Sequence, residues 1–312
     1  MEHTSPMGTP SIGFVGIGVM GQAMATNLVQ RSGRSVVVHD LDPDRIEAMR
    51  KIGVEVAPTL ADLSAKCDVV FLSLPNARAV ESVVLGAGGL ADTGHNGQTV
   101  VDLSTSTVAL ARELSAQLRE RGISFLDAPV SRTHSAAVAG TLAITVGAAD
   151  RGDFDRIEPL LRFMATDITL CGRPGAGTLV KLLNNLIVFE TVVALSEAIT
   201  VARRSGLIDD KLFFDALSRG SASSFALTNH GMKSLLPDTH PVGLFSSEYM
   251  LKDIGYALGF ARDLGISTEL GDTAEKMLGQ AVEYGYGDQY HTVVVRVVEK
   301  NSLPREEIST LT

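Results

Sequence analysis

Tryptophan is absent and cysteine nearly so: the 312 residues contain no Trp and two Cys. Two thiols, Cys67 and Cys171, cannot build a disulfide framework, and neither stands in a metal-ligand spacing. Both lie in or beside apolar, strand-like runs and are expected to be buried structural thiols. His39 and His134 read as structural or surface residues. No His–Asp–Ser or metal-ligand set emerges, so no metal is expected. Positive charge is also short, with 27 Lys+Arg against 36 Asp+Glu and a formal net charge of −9. An acidic chain without a basic run is a poor partner for nucleic acid or an anionic membrane. Any anionic ligand must then be held by a few local cations.

The chain has no apolar opening either. Residues 1–9 (MEHTSPMGT) are polar and contain proline, so no secretory signal is read there and a short frayed tail is expected. The most apolar long stretch, 179–202, carries Lys181, Asn184, Asn185, Glu190 and Glu197, which argues against a membrane span. A cytoplasmic location is the expectation. What remains is ordinary for a globular protein, 45% hydrophobic and 20% charged, with a length that fits two domains. Thirty glycines point to tight turns and close backbone approaches.

Short β-branched runs at 12–15, 36–40, 54–56, 69–74, 100–103 and 125–127 read as buried parallel strands. Helical stretches such as 21–30, 43–50 and 108–121 lie between them. This alternation predicts an α/β Rossmann domain, a doubly wound parallel sheet. Runs at 143–146 and 168–170 should add strands after the core sheet. The breaker-rich GRPGAG segment (172–177) ends this pattern. Beyond it the chain reads as helical: 178–205, 209–219, 247–264, 268–284 and 289–300. The first of these would be about 40 Å long. It is apolar on most faces, which predicts burial on most sides and a path through a dimer core. The expected division is a nucleotide-binding domain at 10–173 and an all-α domain at 174–305, joined by the long helix.

The strand SIGFV runs straight into Gly16-Ile17-Gly18-Val19-Met20-Gly21. A G-x-G-x-x-G between a strand and a helix is a dinucleotide fingerprint. Gly16 permits the tight turn, Gly18 lets backbone approach a pyrophosphate, and Gly21 lets the helix pack closely. The helix N-terminus supplies N–H groups to the phosphates. The second strand ends at Asp40, a carboxylate placed to accept hydrogen bonds from the adenosine ribose and to repel a 2′-phosphate. No Arg stands beside it at positions 41 or 42. NAD is therefore expected over NADP.

Lys181 and Asn185 stand four apart near the start of the long helix and share a face. A lysine within an apolar helix is costly unless paired or used. Burial would lower its pKa, which suits acid–base chemistry near neutrality.

The run FVGIGVMGQAMATNL resembles the opening of the β-hydroxyacid dehydrogenase family, which includes 3-hydroxyisobutyrate dehydrogenase and tartronate semialdehyde reductase. Three further blocks resemble it in order: Asp127-Ala128-Pro129-Val130-Ser131, then Gly177-x-x-x-Lys181-x-x-Asn184-Asn185, then Phe245 with Lys252-Asp253. The resemblance runs from about residue 12 to 300. It implies an NAD-dependent oxidoreductase acting on a small anionic 3-hydroxy compound or its aldehyde, assembled as a homodimer or homotetramer. It implies Lys181 as the proton donor and acceptor at the carbonyl oxygen, with Asn185 and Asn184 at the substrate. Val19 and Met20 would present backbone to the pyrophosphate. Leu74 would lie near the adenosine, Thr105 at the nicotinamide ribose and Lys252 over the nicotinamide end.

One block departs from the family. Where Ser-Gly-Gly is usual, this chain has Ser131-Arg132-Thr133. Arg132 adds a planar fork of donors and Thr133 a hydroxyl, a set suited to a carboxylate or sulfonate. An Arg-Thr pair here resembles the 3-sulfolactaldehyde reductases of the family, so reduction of sulfolactaldehyde to 2,3-dihydroxypropane-1-sulfonate is the sharpest expectation. A carboxylate substrate such as 3-hydroxyisobutyrate or glycerate is the alternative. An imine reductase would usually lack the lysine, and a non-catalytic dinucleotide-binding module would have no use for the Lys181–Asn185 pair.

Overall fold

The computed structural model describes residues 10–302. The expected frayed tail at 1–9 and the expected domain end at 305 fall outside the described residues. The chain separates into two compact units, 1–181 and 182–312. The division falls inside the long helix, at Lys181.

Among its described residues the first unit is built on nine strands: β1 Ile12–Val15, β2 Val36–His39, β3 Glu55–Val56, β4 Val69–Leu72, β5 Thr99–Asp102, β6 Ser124–Asp127, β7 Val130–Ser131, β8 Leu142–Ala148 and β9 Ala165–Gly172. Their order is β3-β2-β1-β4-β5-β6-β8-β7, with β9 also on β8. The first six are parallel. β8 runs antiparallel to β6 and to β7, and parallel to β9. β1, β4 and β5 are buried at every position; β1 and β4 accordingly read as unbroken apolar runs, while β5 buries Thr99 and Asp102 at its ends.

The strand reading at 69–74 overshoots by two residues for a local reason. After Leu72 the Ser73 N–H still bonds Val15 O, but the Leu74 N–H bonds the Ser104 hydroxyl instead of a strand. The helix Val19–Ser32 buries Met24, Ala25 and Leu28 and stops at Gly33 with φ 64°, the left-handed cap that glycine adopts without strain. Cys67 is buried, as expected, but Cys171 on β9 is only partly so. β9 pairs only with β8, off the main strand order, and its burial is correspondingly poor.

The second unit is helical among its described residues. Besides most of the long helix Ala176–Ser205, it contains helices Asp210–Arg219, Ser247–Asp263, Glu269–Ala281 and Val294–Asn301. The helix expected at 268–284 stops at Ala281 and continues as a wider π turn, Val282–Tyr286, with Gly285 at φ 84°. The helix expected from 289 begins as a 3-10 turn at His291–Val293. By length and composition the long helix could cross a membrane. Phe189, Val192, Val193, Leu195 and Ile199 are nevertheless buried, which marks a core helix. Within one chain its burial is one-sided: Val180, Leu183, Ile187 and Val201 are 41–69% exposed.

Candidate functional site

Four segments meet at the carboxyl ends of the parallel strands, where the strand order reverses between β1 and β4. That reversal is where open α/β sheets bind ligands. Gly16 follows β1 with φ 87°, and a Cβ there would lie 2.3 Å from Ser73 O. A Cβ on Gly21 would lie 2.0 Å from Gly16 O. Both glycines are therefore fixed by contact, not by flexibility. Gly18 caps the helix and has no side chain to satisfy its first-turn N–H groups, which leaves them for an anion. Val19 is exposed and Met20 partly buried at this first turn. These residues fit a dinucleotide pyrophosphate.

Asp40 lies beside this loop. Its Oδ2 accepts the Ile17 N–H at 2.7 Å and its Oδ1 accepts the Asp42 N–H at 2.8 Å. Each oxygen keeps a further lone pair for a ribose hydroxyl. Asp42, not Asp40, caps the next helix, Pro43–Arg50. No arginine stands at 41 or 42, but one further along the chain comes close to this loop. Arg45, two residues into that helix and ion-paired to Asp42 at 3.1 Å, brings Nη1 to 3.3 Å from where a Gly18 Cβ would be. Helical geometry, not adjacency in sequence, delivers it. Leu74 packs on Gly16, with Cδ2 3.0 Å from its Cβ position. Thr105 follows Ser104, whose hydroxyl takes the Leu74 N–H at 2.8 Å. Asp102 Oδ1 in turn accepts the Ser104 N–H at 2.9 Å. The structure brings the sequence-read Gly16, Gly18, Gly21, Asp40, Leu74 and Thr105 to one end of the sheet, together with Ser104 and Arg45, which sequence reading missed.

Asp127, at the end of β6, has a role that its sequence block did not disclose. Its carboxylate is fully buried and accepts the Gly175 N–H at 2.8 Å and the Thr178 N–H at 2.7 Å. It thereby caps the long helix from a different strand. Burial pushes its carboxyl up to about 6, although the two N–H groups pull the other way. Gly177 completes the joint, since a Cβ there would lie 2.4 Å from Thr145 O. Three residues beyond Thr178 comes Lys181, partly buried.

In the second unit, Asn184 donates to Asn185 Oδ1 at 3.2 Å, and Asn185 donates to Asp253 Oδ2 at 2.7 Å. Asp253 is fully buried. Its Oδ1 lies 3.1 Å from Lys252 Nζ, an ion pair without hydrogen-bond alignment. Lys252 also lies 5.5 Å from the Tyr249 ring and 5.6 Å from the Tyr256 ring, within cation–π range. The expected residues Asn184, Asn185 and Lys252 are thus joined through Asp253. Only its place beside Lys252 in the sequence signalled it.

The Ser131–Thr133 segment corrects a central expectation. Arg132 does not offer a free fork of donors. Nη1 donates to Thr141 O at 2.6 Å and to Thr166 Oγ1 at 3.1 Å, and Nη2 pairs with Asp167 Oδ2 at 2.7 Å. The Thr166 hydroxyl and Arg132 together hold the Asp167 carboxyl below its ordinary value. The guanidinium is satisfied by β9 and the start of β8, and Asp167, 35 residues away in sequence, gave no warning of it. Thr133 likewise caps the short helix His134–Ala139 and shares a hydrogen bond with the Ser135 hydroxyl. Ser131 sits on β7 opposite Ala143. Arg132 has φ 86°, a left-handed backbone that costs a non-glycine residue roughly 1–2 kcal/mol. The backbone here has the shape that glycine favours, although the residue is arginine.

A family profile described as the NAD binding domain of 6-phosphogluconate dehydrogenase matches residues 11–172. A second, described as the NAD-binding region of NADP-dependent 3-hydroxyisobutyrate dehydrogenase, matches residues 175–298. The chain is 32% identical to 2-hydroxy-3-oxopropionate reductase of Escherichia coli, over 92% of this chain and 97% of that one. It is 31% identical to 2-(hydroxymethyl)glutarate dehydrogenase of Eubacterium barkeri, over 93% and 95%. Among solved structures, 3-hydroxyisobutyrate dehydrogenase of Mycobacterium tuberculosis with L-serine superposes at a TM-score of 0.84 with 30% identity, covering 93% of this chain and 99% of that one.

Proposed function

The chain belongs to the β-hydroxyacid dehydrogenases related to 3-hydroxyisobutyrate dehydrogenase, nicotinamide-dependent oxidoreductases of CH–OH groups, and from that premise we propose that it oxidises a small β-hydroxy carboxylate, or reduces the matching aldehyde, with NAD(H). Gly16, Gly18, Val19, Met20 and Gly21 hold the pyrophosphate, Asp40 the adenosine ribose, Leu74 the adenosine side and Thr105 the nicotinamide ribose. Lys252 serves the nicotinamide end. The bound nicotinamide supplies the hydride acceptor or donor. Lys181 takes the hydroxyl proton during oxidation and returns it to the carbonyl oxygen during reduction. Asn185, oriented by Asp253, positions the reacting oxygen, and Asn184 contacts the substrate.

The observation that carries this reading is the anchored helix start. A buried carboxylate fixes the first turn and presents a partly buried lysine three residues on, with Asn185 on the same face. Asp40 favours NAD, since a 2′-phosphate would meet its negative charge. The carboxylate substrate is supported by the Arg132 side chain, which is tied to Asp167 above a backbone of the left-handed shape that glycine favours. Reduction of sulfolactaldehyde is the second reading, favoured by the Arg-Thr pair in the sequence. It requires Arg132 to leave Asp167, Thr166 and Thr141. We further propose a homo-oligomer, dimer or tetramer. Val180, Ile187, Ala194 and Val201 recur every seven residues on the exposed side of the long helix, a spacing that suits helix packing.

Replacing Lys181 by Ala tests the chemical assignment. The expected result is a 10²–10⁴-fold loss of kcat, the range for a general acid–base group, with NADH affinity unchanged. Wild-type turnover in that variant would remove the lysine from the mechanism.

A further inference from the structure

Beyond the dinucleotide cradle, the first unit has a cavity of about 630 Å³ along the helix Val108–Arg119. It shares no residue with the cradle. Arg112 and Arg119, two turns apart on that helix, line it together with Arg173 from the turn after β9. Arg112 is drawn toward that turn, for its Cγ lies 3.2 Å from where a Gly175 Cβ would be. Ala116 and Pro174 supply apolar wall, and Glu120 is the single carboxylate in the lining. Three guanidinium groups against one carboxylate leave an excess of two positive charges.

Many arginines of this acidic chain find carboxylates, among them Arg151 with Asp155, Arg162 with Glu158, Arg203 with Asp210, and Arg262 with Glu275. Among the described residues, Arg112, Arg119 and Arg173 have no ion-pair partner. Cations gathered in one recess repel each other, and an anion with several acceptor oxygens removes that repulsion while filling their donor forks. The volume lies within the range of small-molecule sites. We propose that this cavity is a second ligand site, taking a small polyanion with two or three negative charges, either a phosphate ester or a polycarboxylate.

Calorimetric titration of pyrophosphate, and separately of citrate, into the protein saturated with NADH at low salt tests this, because NADH keeps the first cradle filled. Saturable binding at one site per chain is expected, weakening as salt rises. The tighter of the two probes identifies the phosphate or the carboxylate class. Arg112→Ala with Arg173→Ala should weaken it about a hundredfold, roughly tenfold for each charge-assisted contact removed, while NADH affinity stays the same. Absence of saturable binding by either probe, or equal binding by the double variant, would overturn the proposal.

Discussion

Removing the carboxylate of Asp127 should damage stability and turnover together while sparing the cofactor. It accepts two buried N–H groups, from Gly175 and Thr178, at the head of the helix that carries Lys181. Asp127→Ala leaves both donors without an acceptor, at ~1–3 kcal/mol each. Relief from burying the carboxylate offsets part of this, so the net loss should be about 2–4 kcal/mol at pH 7.5. Urea unfolding measures it. In the folding-competent variant kcat should fall, because the first turn no longer fixes the lysine, and NADH affinity should hold. Asp127→Asn adds a test by pH. The folded-state pKa of about 6 lies above the ordinary 3.8, so the folded protein binds the extra proton between those values. The stabilisation from protonated Asp127 is complete below 3.8 and is lost as pH rises through 6. The wild-type margin over Asp127→Asn should therefore shrink across that window and stay level above it. A loss under ~0.5 kcal/mol for the alanine variant, the level of an ordinary surface change, would refute the anchoring role.

Other substitutions test neighbouring parts of the account. Gly16→Ala should abolish NADH binding or folding, since its Cβ would meet Ser73 O at 2.3 Å from a backbone at φ 87°; fluorescence titration with NADH decides it. Arg132→Gly should change stability by no more than ~1 kcal/mol, as relief of backbone strain opposes loss of a largely exposed ion pair. The same variant should keep KM for a hydroxy carboxylate within about twofold, whereas a large rise would return Arg132 to the substrate. Asp253→Ala should lower kcat with little change in NADH affinity, because Asn185 loses its 2.7 Å acceptor; steady-state kinetics beside NADH titration would separate the two.

Much of the first unit was legible in the sequence because its signals are local. Buried parallel strands must be apolar throughout, and a glycine fingerprint must follow one of them, so β1, β4 and the Gly16–Gly21 loop could be placed without coordinates. What escaped were contacts between distant segments. Asp127 meets Gly175 and Thr178 across some fifty residues, and periodicity carries no trace of such a cap. Arg132 reads as a free cation because Asp167 is on another strand. Arg45 reaches Gly18 only once the helix winds. The one-sided burial of the long helix was hidden too, since the same apolar residues suit a core and an exposed packing stripe.

Nicotinamide absorbance with the purified protein and NAD⁺ tests the central claim most directly, with 3-hydroxyisobutyrate, glycerate and 2,3-dihydroxypropane-1-sulfonate assayed side by side. The account predicts NADH formation with a hydroxy carboxylate at a higher kcat/KM than with the sulfonate. Preference for the sulfonate would contradict it and make Arg132 the substrate clamp.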